Sequence, residues 1–194
     1  ETVQCVPLYD TLGANAVEFI LNHSEASVAL ASADKLPKLA EALPKCEGVK
    51  TVVYWGDVAE EALAAVRAVD GIKVMSFDEL LEVGARAPDV SHPPKPSDIC
   101  TIMYTSGTTG DPKGVLLKHS AVMATVRGLL DYMEGLSTQV GADDVFLSYL
   151  PLAHIFDRVT EEMFLAGGGA IAYWQGDAKK LLDVCLDGLF LTLF

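Results

Sequence analysis

Ile99-Cys-Thr-Ile-Met-Tyr104-Thr-Ser-Gly-Thr-Thr-Gly110-Asp-Pro-Lys-Gly-Val115-Leu-Leu-Lys118 is the stretch from which the rest of the chain can be read. Two apolar, strand-like runs, Ile99 to Tyr104 and Val115 to Lys118, enclose a loop rich in glycine, threonine and serine. Glycine lets the backbone turn through positive φ and approach a ligand closely, so successive N–H groups in such a loop can converge on an anion. The hydroxyls of Thr105, Ser106, Thr108 and Thr109 add donors, Gly107 and Gly110 supply the turns, and Lys113 adds a compact cation suited to a polyphosphate. Spacing excludes two familiar nucleotide loops. The P-loop pattern needs Gly-Lys-Ser/Thr after four intervening residues, but Pro112 stands five positions after Gly107 and Val115 five after Gly110. The dinucleotide pattern G-x-G-x-x-G is missing, and a strand rather than a helix follows Gly114.

Outward from the loop, strands alternate with helical periodicity. Upstream, Val3 to Val6 predicts a strand, and Ala14, Val17, Ile20 and Leu21 share a helical face. Ser27 to Ala31 predicts a second strand, and Leu36, Leu39, Ala40 and Leu43 share another helical face. Lys50 to Trp55 predicts a strand, followed by a helix opened by Asp57 with Glu60. Ile72 to Met75 is a further strand before a helix capped by Ser76 with Glu79. Strands and helices in this order favour an α/β fold with a mostly parallel sheet flanked by helices. Pro88, Pro93, Pro94 and Pro96 mark residues 85–98 as a linker. Downstream, Ser120 is the expected cap of a helix that presents Val122, Val126, Leu129, Leu130 and Met133 to the core. Val145 to Tyr149 is then a strand delivering Pro151, Ala153 and His154 at its C-terminal end, where open α/β sheets place ligands.

Tyr104 to Val115 resembles the signature loop of the adenylate-forming superfamily, which includes acyl-CoA synthetases, luciferases and peptide-synthetase adenylation domains. Leu150-Pro-Leu-Ala-His154-Ile-Phe-Asp157-Arg158 resembles the Pro-Leu-Ala-His-Ile-Phe-Glu-Arg run of long-chain acyl-CoA synthetases, with Asp157 in place of glutamate. Val6 to Gly13, Asn15 to His23 and Trp174 to Asp183 are similar to the same family. The resemblance stops after Asp183, where residues 184–194 diverge from the charged helix and Lys-Pro-Thr turn that the family has there.

The resemblance implies part of the large N-terminal domain of an adenylate-forming enzyme. Residues 1–84 would be scaffold, 85–98 linker, 99–183 the phosphate loop and acyl pocket, and 184–194 a divergent tail. It implies a long-chain fatty acid–CoA ligase that uses ATP, Mg2+ and coenzyme A, with a long-chain fatty acid as substrate. Thr105, Ser106, Gly107, Thr108, Thr109, Gly110 and Lys113 would bind the ATP phosphates, and Lys113 and His154 would serve catalysis, His154 by orienting the acid. The Tyr-Gly-x-Thr-Glu segment, the ribose-binding aspartate, the hinge and the lysine of the C-terminal catalytic domain do not occur by Phe194. The chain, opening on Glu1, is therefore expected to be an internal piece that is inactive alone. Two rivals stay open: a ligase for aromatic acids or an amino-acid adenylation domain, and a non-catalytic remnant that binds phosphate. The resemblance also implies peripheral association with a membrane on its cytosolic side, the endoplasmic reticulum first, then peroxisome or plastid.

Composition agrees with a substantial folded unit: 194 residues, 51% of them hydrophobic. A net charge of −13, from 27 acids and 14 bases, argues against nucleic acid or anionic lipid as a general partner. Lys113, Lys118 and His119 would offset that field beside the loop. Cys5, Cys46, Cys100 and Cys185 lack zinc or C-x-x-C spacing, and Cys5 and Cys100 read as core residues. His23, His92 and His119 read as structural or solvated. The acidic pairs Glu60-Glu61, Asp143-Asp144 and Glu161-Glu162 read as solvated helix ends and turns. No apolar run reaches bilayer length.

Overall fold

The computed structural model describes residues 2–9, 15–87, 89–105, 111–174 and 176. The chain divides into two compact units. The first holds residues 10–93 and 104–114, the second residues 2–9, 94–103 and 115–194.

The first unit is a three-stranded parallel sheet with helices between its strands. Strands β1 (Val28–Ser32), β2 (Thr51–Trp55) and β3 (Lys73–Ser76) lie in the order β1-β2-β3. Val28 registers with Thr51, and Thr51 with Lys73. The central strand carries Val52 and Val53 in succession, both buried, as expected of a strand covered on both faces. Helices α1 (Ala16–His23), α2 (Leu36–Ala42), α3 (Glu60–Arg67) and α4 (Phe77–Arg86) supply the cover. Leu21 of α1, Leu36 and Leu39 of α2 and Val66 of α3 meet Val52 of β2 in one core. The sequence pattern located these elements well. One start differs: α3 begins at Glu60 behind Ala59, not at Asp57, and no side chain caps it; Glu60 and Glu61 in its first turn complement the helix dipole instead. The predicted cap of α4 forms a full capping box, with Glu79 N–H donating to Ser76 Oγ (3.1 Å) and Ser76 N–H donating to Glu79 Oε2 (2.6 Å).

Strand β4 (Ile99–Thr105) pairs with β5 (Lys113–Lys118); residues 99–103 and 115–118 of this pair belong to the second unit, and 104–105 and 113–114 to the first. In the second unit, β6 (Val145–Ser148) pairs in parallel with β7 (Ala170–Tyr173). Helix α5 (His119–Gly135) buries Val122, Val126 and Met133, as its periodicity predicts. Helix α6 (Ile155–Gly167) makes the crossover from β6 to β7 and packs on α5, with Val126, Phe146, Val159, Met163 and Phe164 forming the core between them. The Phe146 and Phe164 rings lie 5.3 Å apart. Gly168, at φ 87°, ends α6 in the left-handed conformation that a side chain would disfavour.

Three expectations are corrected here. Val3 to Val6 forms one parallel bridge, Cys5 to Thr101, and no strand. Cys5 N–H donates to Cys100 C=O (3.1 Å) and Ile102 N–H to Cys5 C=O (2.9 Å). The next rung would need an amide at position 7, where Pro7 has none. Cys5 is accordingly exposed rather than a core residue, while Cys100 is buried. Ser120 does not cap α5: the amides of His119 and Ser120 donate to the carbonyls of Asp98 (3.0 Å) and Pro96 (2.9 Å). The proline-rich segment before β4 therefore ends in a turn that satisfies the helix start, itself closed by Lys95 N–H donating to Asp98 Oδ2 (2.8 Å).

Candidate functional site

Strand β4 runs into the glycine-rich loop and β5 leaves it. Met103 and Tyr104 are buried, whereas Thr105, the last residue of β4, is exposed. Lys113 opens β5 two residues earlier than its apolar pattern predicts, and its side chain is exposed, as an ammonium must be to meet a phosphate from solvent. Ser106, Gly107, Thr108, Thr109 and Gly110 lie outside the described residues. Lys118 is exposed at the start of α5, and His119 is the first helical residue.

Behind the loop, Tyr104 is held by groups far away in sequence. Its side chain is only 2% exposed, and its hydroxyl lies 2.6 Å from Nδ1 of His23 at the end of α1. His23 stacks on Phe19 (centroids 5.2 Å, 16° between planes), and both rings meet Tyr104 edge-on. Burial pushes the Tyr104 phenol above its ordinary value, so it remains a neutral hydroxyl able to donate. Nothing in the sequence around His23, which reads as structural or solvated, signals this contact, which joins residues 81 positions apart.

His154 belongs to the second unit, Thr105 and Lys113 to the first. His154 is exposed at the N-cap of α6, where its ring Nδ1 accepts the Phe156 N–H (3.3 Å) and its backbone N–H donates to Pro151 C=O (2.7 Å). With Nδ1 used as an acceptor, Nε2 is the ring atom available to a ligand. The imidazole thus has a structural job at the helix start and still presents its outer edge.

Three residues further along the motif the side chain is buried outright. Asp157 is 0% exposed, and its Oδ2 accepts the Ser148 hydroxyl at 2.8 Å, fastening the first turn of α6 to the end of β6. Asp157 Oδ1 and the neighbouring Glu161 Oε1 and Arg158 Nε find no hydrogen-bond partner. Arg158 Nη2 lies 3.4 Å from Cys100 Sγ. Of the Glu161-Glu162 pair, read as a solvated helix end, Glu161 is buried and Glu162 partly exposed; Glu60, Glu61 and Asp143 are exposed as expected. The missed signal was periodic: Asp157, Thr160, Glu161 and Phe164 fall at i, i+3, i+4 and i+7, one helical face, with polar residues at three of the four places.

A surface cleft of about 1200 Å³ between α2 and α3, lined by residues such as Ala40, Leu43, Ala62 and Val69, contains none of the predicted site residues. Among the described residues no group of three or more His, Cys, Asp or Glu side chains is arranged to hold a metal ion, and no helix is long and apolar enough to cross a membrane.

Comparison with known proteins gives the same direction. The chain is 44% identical over 180 residues to long chain acyl-CoA synthetase 5 of Arabidopsis thaliana, and 46% identical over 180 residues to long chain acyl-CoA synthetase 4 of the same plant. Each match covers 92% of this chain and 27% of the relative, so the chain spans about a quarter of the length of the curated relatives it matches. Its fold is similar to the adenylation domain of a carboxylate reductase from Mycobacterium chelonae, with a TM-score of 0.77 at 24% identity, covering 93% of this chain and 29% of that one. It is also similar to a putative long-chain-fatty-acid CoA ligase from Rhodopseudomonas palustris, with a TM-score of 0.67 at 22% identity, covering 87% and 37% respectively. The AMP-binding enzyme model matches residues 3–189, nearly the whole sequence, and the chain belongs to that family.

Proposed function

We propose that the intact protein is a long-chain fatty acid–CoA ligase that works through an acyl-adenylate. The observation that carries this reading is the 44–46% identity, over 92% of the chain, to plant proteins named long chain acyl-CoA synthetases. In the first half-reaction a fatty-acid carboxylate oxygen attacks the α-phosphorus of ATP, the bond to the bridging oxygen breaks, and pyrophosphate leaves. In the second the sulfur of coenzyme A attacks the acyl carbon, AMP leaves, and the thiol proton is lost.

Lys113 and the donors of residues 105–110 act on the first half-reaction. Negative charge accumulates on the departing pyrophosphate, and a positioned ammonium with hydroxyl and amide donors stabilises it more in the transition state than in bound ATP. His154 orients the carboxylate through Nε2, its Nδ1 being engaged by the Phe156 amide. Asp157, sealed against Ser148, maintains the placement of the 151–154 turn and has no direct role in the chemistry. The Mg2+ implied with ATP would be held largely by the nucleotide phosphates; among the described residues no three His, Cys, Asp or Glu side chains gather to hold a metal ion. For compartment, we propose a membrane-apposed enzyme of the endoplasmic reticulum or the peroxisome; two similar Arabidopsis proteins are named peroxisomal.

The reading is tested by supplying the full-length protein with ATP, coenzyme A and, in turn, a long-chain fatty acid, coumarate and an amino acid. Acyl-CoA formed from the fatty acid well above the other two supports it. Preference for coumarate or an amino acid would replace it with another adenylate-forming activity.

A further inference from the structure

The loop that meets ATP starts at a residue whose side chain is anchored elsewhere. Tyr104 immediately precedes Thr105, and its buried hydroxyl has His23 Nδ1 as its partner at 2.6 Å. A buried phenol left without a partner is costly, so this contact defines where the tyrosine sits. The contact is supported from both sides: Phe19 stacks on the imidazole at 5.2 Å and meets the Tyr104 ring edge-on at 6.5 Å. Phe19 and His23 are four residues apart on α1, one helical turn, so the helix presents both rings together. Helix α1 is in turn fixed by Ile20 and Leu21, which are buried. All these groups and residues 104–114 belong to the same compact unit.

We infer that His23 is a positioning residue for the ATP half-reaction: by accepting the Tyr104 hydroxyl it sets the end of β4 from which the phosphate-binding loop departs. His23 touches no substrate in this account; it acts through Tyr104. A bland alternative exists, since a histidine in the last turn of a helix also complements the helix dipole. The two roles separate by substitution. His23→Lys puts a cation at the helix end and removes the acceptor, whereas His23→Asn removes the ring and keeps an acceptor oxygen near the position of Nδ1. His23 is exposed, so none of these changes opens a core cavity.

The inference rests on the reading that residues 105–113 handle ATP phosphates, and the experiment keeps the two apart. In the full-length protein, three quantities are measured: fatty-acid-dependent ATP–pyrophosphate exchange over a range of ATP, equilibrium binding of ATP alone, and thioester formation from supplied acyl-adenylate and coenzyme A. His23→Ala and His23→Lys should each lower kcat/KM for ATP by about three- to tenfold, the scale of one hydrogen bond, and weaken ATP binding in step. His23→Asn should recover most of the loss. Tyr104→Phe should match His23→Ala, and the double variant should add little, because both remove the same contact. Thioester formation from acyl-adenylate should stay at the wild-type rate. Wild-type exchange in His23→Lys overturns the inference, as does an equal fall in both half-reactions with no recovery in His23→Asn, the pattern of a merely structural residue. Lys113→Ala is run alongside. Loss of exchange in Lys113→Ala with none in His23→Ala sinks only the positioning role, while full exchange in Lys113→Ala overturns the loop reading and this inference with it.

Discussion

Replacing Ser148 with alanine removes one hydroxyl from a sealed site and leaves the backbone alone. Ser148 is 8% exposed and Asp157 0%, and the serine hydroxyl is the donor to Asp157 Oδ2 at 2.8 Å. Because Oδ1 already lacks a partner, Ser148→Ala leaves the whole carboxyl group without a donor in a place water does not reach. Leaving a buried acceptor unsatisfied costs about 1 to 3 kcal/mol, and the lost oxygen leaves a void too small to matter by comparison. The cost falls on the junction of β6 with the first turn of α6, the segment that carries His154. Native-state hydrogen exchange on peptides covering residues 145–167 of the full-length protein reads it directly. Each 1.4 kcal/mol is a factor of ten, so amides protected by opening of that junction should exchange about five- to 150-fold faster. Peptides from β1 to β3 should be unchanged. Protection in 145–167 equal to that of the parent protein would refute the claim that Asp157 is a structural fastening rather than a chemical group.

Three further outcomes follow from local geometry. Gly167→Ala would bring a Cβ to 2.9 Å from Val140 side-chain and backbone atoms, so α6 must shift; a loss of about 1 to 3 kcal/mol is expected, read as faster exchange at its C-terminal end, and no change would contradict the close packing. Ser76→Ala breaks the capping box and should cost about 1 kcal/mol, seen as faster exchange in the first turn of α4. Burial raises both the Cys46 thiol above its ordinary 9.0 and the Tyr104 phenol above its ordinary 10.0. The folded chain therefore keeps protons that the unfolded chain loses, so their contribution is complete below pH 9 and fades as pH rises through 9 and 10 towards the raised folded values. Denaturation titrations should show that alkaline decline shrinking in a Cys46→Ala, Tyr104→Phe double variant; an undiminished slope would count against the buried groups as its source.

Much of the fold was legible because its signals are local. The switch between strand-like runs and three-to-four spacing located α1 to α4 and β1 to β3, and the Ser76/Glu79 pair named its own helix start. What failed depends on partners remote in sequence. Asp57 and Ser120 look like caps, yet α3 starts three residues after Asp57, and the amides at the start of α5 are taken by carbonyls of the 96–98 turn. Val3 to Val6 has strand composition, but Pro7 removes the donor that would extend the single rung at Cys5. Loop chemistry singles out Thr105 and Lys113 as candidates, and the structure adds their exposure at the two strand ends. The helical stripe of Asp157, Thr160, Glu161 and Phe164 lies in the sequence but carries acids where a core face is usually apolar, and of these Glu161, as part of the Glu161-Glu162 pair, reads as solvated. The His23 to Tyr104 contact had no sequence signature, since neither residue is unusual in its own neighbourhood.

The most direct test of the account is fatty-acid-dependent ATP–pyrophosphate exchange by the full-length protein and its Lys113→Ala variant. An ammonium that stabilises the departing pyrophosphate should be worth about a hundredfold or more in the rate of that exchange, with the fatty-acid requirement retained in what remains. Exchange by Lys113→Ala at the parental rate would contradict the assignment of the glycine-rich loop to phosphate handling, and with it the central claim.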